Sequence, residues 1–528
     1  MLRNTSRPLL LSGLLGAALL VWSCAAQADI KLPVIFSHNM VLQQGMQVPV
    51  WGWADEGETV TVKFGAQSLT TKAKDGRWMV KLKPLTAGGG AESLVVSGKN
   101  RIRLDNVVVG EVWVCSGQSN MEWPLINSFE AKADIDKSAN SELRLFTVQK
   151  TKSQDALDDL KQQWNVTKFA WQESSPYSTP DFSAVAYYFG RELQKTRGVP
   201  VGLIHTSWGG SPAEAWMSRE TLFANAGYFA DIVEKADADW KKYEEAAAKY
   251  AKEAADAKKA GTKPGNPPRM PWRTSELYNG MIHPLMPFAI KGAIWYQGES
   301  NAGRAHQYRT LFPDMIKNWR KDWGQGDFPF LFVQLAPWDK SKKRDLPVIA
   351  KEIGESDWAE LREAQVHTLR TLTKTGMAVI TDVGEKDDIH PKKKQPVGER
   401  LAIAARAIAY GERITPTGPL YKSMKVKNDK TLGERVILSF DNVGAGLEAR
   451  GGGELTGFTI CDADRKWVAA KAEILPDNTI AVSNPDVKKP VAVRFGWNDF
   501  PVVNLFNKDG LPASPFRTDD FPMITAPK

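Results

Sequence analysis

A serine at the end of a buried-type strand is the first residue whose position in this chain indicates chemistry. Residues 112–115 are Val-Trp-Val-Cys, an apolar run that predicts a short interior strand, and residues 117–121 follow as Gly-Gln-Ser-Asn-Met. Such a turn exposes the hydroxyl of Ser119 while the strand fixes its position, as folds do for a nucleophile. Because Gly-x-Ser turns also occur without a catalytic role, the hypothesis depends on partner residues elsewhere.

A base must take the proton of a serine nucleophile, and a histidine held by a carboxylate is the usual one. His390 is the candidate, because it stands in the segment Asp-Asp-Ile-His-Pro at 387–391, after a predicted strand that ends near Thr381. A carboxylate two or three residues before a histidine can fold back in the turn and accept from its Nδ1–H. Asp387 and Asp388 both have this spacing, so two candidates remain for the orienting acid.

The third requirement is a set of donors for the negative charge that develops on the attacked carbonyl oxygen. Candidates are the backbone N–H groups of Ser119, Gly209 and Gly210, and the side-chain amide of Gln297. Ser211 is a rival nucleophile beside the two glycines. It lacks the Gly-x-Ser-x-Gly pattern, and a proline follows it directly, so we place the nucleophile at Ser119.

The elements that would position these residues alternate between strands and helices from about residue 106 to 412. This alternation predicts an α/β domain with a mostly parallel sheet. The predicted strands are 112–115, 201–204, 293–295, 330–335 and 378–380, and the predicted helices are 184–196, 305–319, 360–372 and 397–410. In such sheets the site forms beyond the carboxyl ends of the strands, where the serine, the two glycines and the glutamine all stand.

The residues on either side of this domain, from 29 onward, have a different pattern. Alternation with period two and frequent turn signals predict a β-sandwich over 29–105 and another over 413–528. Within the α/β domain, the Ala-, Lys- and Glu-rich stretch 237–259 predicts a surface helix, which belongs to an insertion over about 228–271. We expect its charges to form a solvated face, and a partner-binding role is the alternative.

The first 28 residues predict a secretory signal peptide. Two arginines precede an apolar core over 9–22, which is too short for the roughly 20 residues of a membrane span, and small residues at 26–28 supply a cleavage site. Cys24 leaves a lipid anchor as an alternative, although the bulky Trp22 is atypical of a lipobox. We expect an exported protein, periplasmic or secreted, with no membrane span.

Charge and composition exclude several partners. The formal net charge of +8 falls to +6 without residues 1–28, and basic residues form no dense patch interleaved with aromatics, so we expect no nucleic acid partner. No cysteine spacing typical of metal ligands occurs, and we expect no metal and no other cofactor. Nothing in the pattern predicts an oligomeric state.

Three motifs together resemble the sialate O-acetylesterase family of SGNH hydrolases. They are Gly-Gln-Ser-Asn-Met at 117–121, Trp-Tyr-Gln-Gly-Glu-Ser-Asn-Ala at 295–302 and Asp-Ile-His-Pro at 388–391. Further similar segments occur in the same order along the chain, at 36–43, 277–282, 504–507 and 510–518. The resemblance therefore covers nearly the whole mature chain.

The resemblance implies a flavodoxin-like α/β core, flanking β-sandwiches and a serine esterase mechanism without a metal. It implies Ser119 as nucleophile and His390 as base. The carboxylate of the wider SGNH pattern stands three residues before the histidine, so we take Asp387 as the orienting acid and keep Asp388 as the alternative.

Other residues of the same motifs are expected to serve the site. Gln297 stands where the wider SGNH pattern has an asparagine, so its oxyanion role rests on the narrower family. We expect supporting roles for Asn120, Glu299 and Asn301.

The function implied by the resemblance is a carbohydrate O-acetylesterase, acting on O-acetylated sialic acid. Acetylxylan or another acetylated glycan is an alternative substrate, because the acetyl group is the only part that the triad must recognise. A glycan-binding protein with an inert site is an alternative of another class. Arg304, Arg309 and Arg320 follow the motif at 295–302, and we expect them on helix surfaces rather than at a sialate carboxylate.

Overall fold

The computed structural model describes residues 29–162, 169–341, 344–429 and 433–527. The predicted signal peptide, residues 1–28, and the alternative anchor at Cys24 lie outside the described residues. None of the helices in the described part of the chain combines the length and apolar composition that a membrane crossing requires.

Short antiparallel strands form the first part of the described chain. In β3, the predicted alternation places Val60, Val62 and Phe64 inside and leaves the threonine and lysine side chains between them at least partly exposed. Strand β2 pairs with β5, and β3 pairs with β4 and β6. The strands are β1 (Val41–Gln43), β2 (Val48–Trp53), β3 (Thr59–Phe64), β4 (Gln67–Lys72), β5 (Arg77–Leu82) and β6 (Glu92–Ser97).

One long strand, β7 (Arg101–Gly117), joins this region to the central sheet. Its first half, through Val107, pairs antiparallel with β6, and its second half, from Glu111, pairs with parallel strands. The boundary predicted between residues 105 and 106 therefore falls inside a continuous strand. A rigid extended segment thus runs from the first antiparallel sheets to the proposed nucleophile.

The central sheet has the order β13-β12-β11-β7-β10-β8-β9. All neighbours on this path are parallel except β8 and β9, but β3, β4 and β6 belong to the same sheet through antiparallel pairs, so the sheet as a whole is mixed and the prediction of a mostly parallel sheet holds for its central path. Strands β8 and β9 were not predicted. The strands are β8 (Asn140–Thr147), β9 (Gln172–Ser174), β10 (Val201–Ser207), β11 (Gly292–Tyr296), β12 (Phe330–Val333) and β13 (Thr375–Ala378).

Helices cover both faces of this sheet, so successive residues of β7 are buried in two different cores. Trp113 packs in a cluster with side chains of α3 and α10, whereas Val112 and Val114 belong to a cluster that contains side chains of α7 and α9. The helices are α1 (Ser119–Glu122), α2 (Ala131–Asp136), α3 (Ala184–Arg197), α4 (Arg219–Ala224), α5 (Ala226–Tyr228), α6 (Glu234–Lys259), α7 (Ala305–Trp323), α8 (Leu346–Ile349), α9 (Asp357–Thr371) and α10 (Gln395–Tyr410).

The predicted surface helix over 237–259 is confirmed as the larger part of α6. All of α6 is described, and none of its residues is buried. A π-helical turn over Phe229–Val233 precedes it, and Ile232 and Val233 of this turn are buried. The insertion is therefore attached to the core at its base, and α6 extends from that base as a solvated arm.

Antiparallel strands return after α10 and share a separate hydrophobic core. The main sheets have the orders β14-β15-β20-β19 and β18-β17-β21-β23. The structure therefore has additional antiparallel sheets on both sides of the α/β domain, and their grouping into sandwich domains stays a prediction. The strands are β14 (Leu420–Asp429), β15 (Gly433–Asp441), β16 (Leu447–Ala449), β17 (Phe458–Cys461), β18 (Val468–Ala469), β19 (Lys471–Ile474), β20 (Ile480–Ser483), β21 (Ala492–Phe495), β22 (Leu505–Asn507) and β23 (Phe516–Arg517).

Candidate active site

The site lies where the order of the central sheet reverses. After β7 the chain forms β8, β9 and β10 on one side of that strand, with β10 next to it, and then adds β11 on the other side. In the register of these strands, Gly117 stands opposite Ser207 of β10 and opposite Tyr296 of β11, so the three carboxyl ends are level. Ligands of parallel sheets bind outside such a switch point.

The turn after β7 requires a glycine. Gly117 has a φ of 138°, and a Cβ at this position would lie 2.2 Å from the carbonyl oxygen of Tyr296. The next N–H, that of Gln118, donates to the same carbonyl at 3.0 Å, and α1 begins at Ser119. The tight approach of β7 and β11 therefore sets the direction in which Ser119 leaves the sheet.

The structure brings Ser119 and His390 together from opposite ends of the domain. The His390 Nε2 lies 2.9 Å from the Ser119 Oγ, and the indole ring of Trp123 stacks on the imidazole with centroids 5.5 Å apart. Burial, and after it the positive charge of Lys394, lowers the pKa of His390 below its ordinary 6.5. The imidazole is therefore neutral near pH 7 and suited to accept a proton.

The two neighbouring aspartates point in different directions. The Asp388 Oδ1 lies 3.5 Å from the His390 Nδ1 and accepts the backbone N–H of His390 at 2.9 Å. The Asp387 carboxylate instead pairs with Lys386 at 2.5 Å, and its side chain is 60% exposed. The geometry therefore favours Asp388, the alternative, over the predicted Asp387, because the turn that bonds the His390 N–H carries only Asp388 toward the ring.

Of the two glycines, Gly209 is adjacent to the nucleophile. A Cβ on Gly209 would lie 3.2 Å from the Ser119 Cβ, so a side chain here would crowd the serine. Its N–H donates to the Glu122 Oε2 at 2.6 Å, and the Glu122 Oε1 pairs with Lys150 at 2.5 Å. Gly210 adopts a φ of 74° with open space beside it, which indicates a turn position.

Gln297 does not point at the nucleophile. Its amide nitrogen donates to the Asn301 Oδ1 at 2.6 Å and to the Ser211 carbonyl at 3.3 Å, and its oxygen accepts from the Tyr308 hydroxyl at 2.8 Å. Because both amide hydrogens are used and the side chain is fully buried, this geometry does not support the predicted oxyanion role. Gln297 instead connects β11 to the loop after Gly210.

The rival Ser211 is part of the same structural layer. It is fully buried, its hydroxyl donates to the Trp208 carbonyl at 2.7 Å, and it accepts from the Trp216 indole at 2.8 Å. Asn301 completes this layer, accepting from the Ala213 N–H at 3.0 Å and donating to Glu214 at 3.0 Å. Asn301 therefore holds the loop that follows Gly209, and its predicted supporting role in catalysis stays a prediction.

A buried polar cluster lies behind the Ser119–His390 pair. The Asn120 amide donates to the Glu299 Oε1 at 2.6 Å and to the Ile389 carbonyl at 3.1 Å, while its oxygen accepts from the Lys394 ammonium. Burial lowers the pKa of Lys394 to about 7 and raises the pKa of Glu299. Asn120, the residue after the nucleophile, thus holds Ile389, the residue before the histidine.

Sequence reasoning missed Lys394, although a signal was present. It is the last of three consecutive lysines, but it is in helical phase with Val397 and Leu401 of the buried face of α10. That phase indicated that this lysine, unlike its neighbours, turns inward. Trp123 and Glu122 gave no comparable signal, since they stand directly after and at the end of the short helix α1, where no period is readable.

An open cleft of about 340 Å³ exposes the pair to solvent, and Trp208, Gly209 and Lys150 contribute to its wall. The three arginines that follow the motif at 295–302 are all paired within the protein. Arg304 contacts Glu214 at 2.5 Å and Arg309 contacts Glu363 at 3.3 Å. The expectation that Arg320 lies on a helix surface is wrong, because it is buried and donates to the carbonyl groups of Phe328 and Thr373.

A serine and a histidine paired at the switch point of a parallel sheet form an arrangement that hydrolases use. The family described as "Carbohydrate esterase, sialic acid-specific acetylesterase" matches residues 109–252 and 268–406. The chain belongs to this sialic acid-specific acetylesterase family of carbohydrate esterases, and is accordingly an esterase that hydrolyses acetyl esters.

Relatives match almost the whole chain. The sialate O-acetylesterase of Mus musculus is 31% identical over 94% of this chain and 95% of that protein, and the Homo sapiens enzyme of the same name is 29% identical over 94% of each. The crystal structure of a carbohydrate acetylesterase from Xanthomonas citri is 36% identical, with a TM-score of 0.77 over 93% of this chain and all of that chain. The likeness thus includes both flanking β regions.

Proposed function

We propose that this protein is a carbohydrate O-acetylesterase that works through an acetyl-enzyme on Ser119. The observation that carries the proposal is the 2.9 Å contact between the Ser119 Oγ and the His390 Nε2 at the switch point of the sheet. In the proposed triad Asp388 orients His390, since its carboxylate is the one beside the imidazole.

The topology supports a flavodoxin-like core of the SGNH type. If the strands β7, β10, β11, β12 and β13 are counted in chain order, their spatial order is 2-1-3-4-5, which is the flavodoxin-like order. Strands β8 and β9 extend this core beyond β10. The site at the first and third strands of this core is where the flavodoxin-like arrangement binds its ligand.

In the first half-reaction, His390 takes the proton of Ser119 as its oxygen attacks the acetyl carbonyl carbon. Negative charge then develops on the carbonyl oxygen, and the N–H groups of Ser119 and Gly209 are the donors that we assign to it. Collapse of the tetrahedral intermediate breaks the ester bond, and His390 gives its proton to the departing sugar hydroxyl. Asp388 stabilises the imidazolium that exists between these two transfers.

In the second half-reaction, a water molecule replaces the sugar. His390 takes a proton from this water as it attacks the acetyl-enzyme, and acetate leaves when the proton returns to the Ser119 oxygen. The open cleft admits water directly to this position. No further group is needed for the cycle.

The identity of the sugar belongs to the proposal as well. The names of the mammalian relatives make O-acetylated sialic acid the first substrate to test, and the broader name of the Xanthomonas citri relative extends the choice to other acetylated glycans. The paired Ser119 and His390 argue against an inert glycan-binding protein, because such a protein has no need to keep them in contact.

The test is acetate release from 4-nitrophenyl acetate by the Ser119→Ala variant, beside Ser211→Ala as the matched control. Loss of the nucleophile lowers kcat by at least about 10⁴-fold, whereas Ser211→Ala retains turnover because its hydroxyl has only structural partners. Circular dichroism and thermal unfolding of both variants check that the fold is intact. Turnover by a folded Ser119→Ala protein would overturn the proposal.

A further inference from the structure

A second, larger cleft opens at the base of the α6 arm. It has a volume of about 830 Å³, and we call it the arm cleft. One wall is formed by the start of the insertion, with Tyr228 and Ala236, and by Trp272 at its end; the other wall contains Arg304 and Asp314. Both ends of the predicted insertion thus contribute to one depression.

The arm cleft adjoins the active-site cleft. Trp272 packs edge-on against Trp208, with centroids 5.6 Å apart, and Trp208 lines the cleft that contains Ser119. Pro212, which lines the arm cleft, is three residues from Gly209, so their Cα atoms are at most about 11 Å apart by the reach of an extended chain. A chain of sugars that fills the arm cleft can therefore extend to the nucleophile.

The lining has the chemistry of a saccharide site. Trp272 supplies an aromatic ring with a polar group at its edge. Tyr228 is almost fully buried and its hydroxyl donates to Asp314 at 2.8 Å, while Asp314, Asp231 and Asn225 supply hydrogen-bonding groups for hydroxyls. A ligand site of this kind combines apolar surface with a few convergent polar groups. Its volume is within the 300–1,000 Å³ range typical of pockets that hold small ligands.

Charge decides between an uncharged and an anionic saccharide. The lining contains four carboxylates against three basic side chains, and Lys152, whose ammonium lies 4.0 Å from the centre of the Trp272 ring, is paired with Glu276 at 3.0 Å, so carboxylates predominate in the arm cleft. Each basic group is also engaged: Arg304 pairs with Glu214 at 2.5 Å, Lys235 pairs with Asp231 at 3.3 Å, and the Arg273 guanidinium lies 4.7 Å from the centre of the Trp240 ring. The carboxylate of a sialic acid would find acidic neighbours here and no cation reserved for it.

We propose that the arm cleft binds the uncharged sugar units of an acetylated oligosaccharide, whose acetylated unit lies at Ser119. This inference rests on the proposed esterase function and specifies its substrate as a neutral glycan longer than one sugar. It also gives the insertion a role, because the arm and its base form one wall of the cleft.

The experiment compares kcat/KM for three acetyl esters: an acetylated neutral oligosaccharide from xylan, O-acetylated sialic acid and 4-nitrophenyl acetate. Two variants alter the arm cleft in different ways: Trp272→Ala removes an aromatic wall, and Ala236→Trp fills the space from the arm. Both lower the ratio of the oligosaccharide value to the 4-nitrophenyl acetate value by roughly tenfold, a loss common when a tryptophan at the centre of an interface is truncated. Met270→Ala, an exposed neighbour outside the lining, is the control and keeps the ratio of the unaltered protein.

The outcomes separate this inference from the proposed function. If the protein cleaves 4-nitrophenyl acetate but prefers O-acetylated sialic acid to the oligosaccharide, the esterase function stands and the arm-cleft proposal is overturned. Equal losses on all three esters in both variants overturn it too, since they report damage at Ser119 rather than lost sugar contacts. If the protein cleaves none of the three, the proposed function itself fails.

Discussion

The Glu122 carboxylate accepts a hydrogen bond from the Gly209 N–H at 2.6 Å, beside the nucleophile. Lys150 holds the other oxygen of this carboxylate at 2.5 Å. A donor that the proposed mechanism assigns to the oxyanion is thus occupied by an anion before substrate binds. The Glu122 side chain must move for Gly209 to serve the tetrahedral intermediate, and its charge opposes the negative charge that develops there.

Replacement of Glu122 by alanine is therefore expected to raise activity. A hydrogen bond to a charged group contributes about 1.5–3 kcal/mol, so its removal frees the Gly209 N–H and raises kcat/KM for 4-nitrophenyl acetate by about tenfold. Initial rates at fixed pH measure this, and Glu122→Gln is the matched control, because it keeps an acceptor but loses the charge. A fall in kcat/KM for the alanine variant would show instead that Glu122 orients Gly209 for catalysis.

The neighbouring aspartates give a matched pair of variants. Asp388→Asn removes the charge beside the His390 Nδ1 and is expected to lower kcat by about a hundredfold or more, since the histidine loses the group that orients it and stabilises its charged form. Asp387→Asn removes only an exposed ion pair with Lys386 and should change kcat less than about twofold. Steady-state kinetics of the two proteins side by side decide the matter. A larger loss of kcat in Asp387→Asn than in Asp388→Asn would identify Asp387 as the orienting acid of the triad.

Local patterns predicted the parts of the site that obey local rules. The run Val112–Cys115 is fully buried, Gly117 is required by the approach of β11, and His390 meets Ser119 as the hydrolase pattern requires. The central strands were predicted where apolar runs were continuous. Strand β8 was missed because only four of its eight residues, from Leu143 to Phe146, are buried, so no simple period marks it.

Long-range partners explain what the sequence could not predict. Whether Gln297 faces the nucleophile or the interior depends on the Ser211 carbonyl, which lies 86 residues away in the chain. The bond between Glu122 and Gly209 spans 87 residues. Asp387 and Asp388, three and two residues before His390, are distinguished only by the backbone of their turn. In each case the side-chain type was informative, but its direction was set by tertiary contacts.

The pH dependence of the reaction should follow the histidine. His390 must be neutral to accept the serine proton, and burial together with the Lys394 charge lowers its pKa below 6.5. The neutral form is present above that lowered pKa, so kcat/KM rises with pH and levels off with an apparent pKa below 6.5. A pH–rate profile on 4-nitrophenyl acetate, with stability checked at each pH, measures it. An acid limb centred above 6.5 would mean that a nearby carboxylate dominates the environment of the imidazole.

The last prediction concerns Lys394 and Glu299, two ionisable residues of the buried polar cluster behind Ser119 and His390. Lys394→Met leaves Glu299 buried without its cation and is expected to lower the free energy of unfolding by about 3–5 kcal/mol at pH 6, measured by urea denaturation. Adding Glu299→Gln removes the stranded charge and should recover most of that stability, because a neutral amide still accepts from Asn120.

Activity should not recover with stability in this double variant. The bond from Lys394 to Asn120 is absent in it, and Asn120 is the residue that holds the Ile389 carbonyl next to His390. We therefore expect the kcat of the double variant to be below that of the unaltered protein. The acid limb of its pH profile moves to higher pH, since the positive charge that lowers the His390 pKa is gone. A double variant that regains both stability and kcat would show that Lys394 only neutralises Glu299. A stable Lys394→Met single variant would show that Glu299 is already protonated in the folded protein.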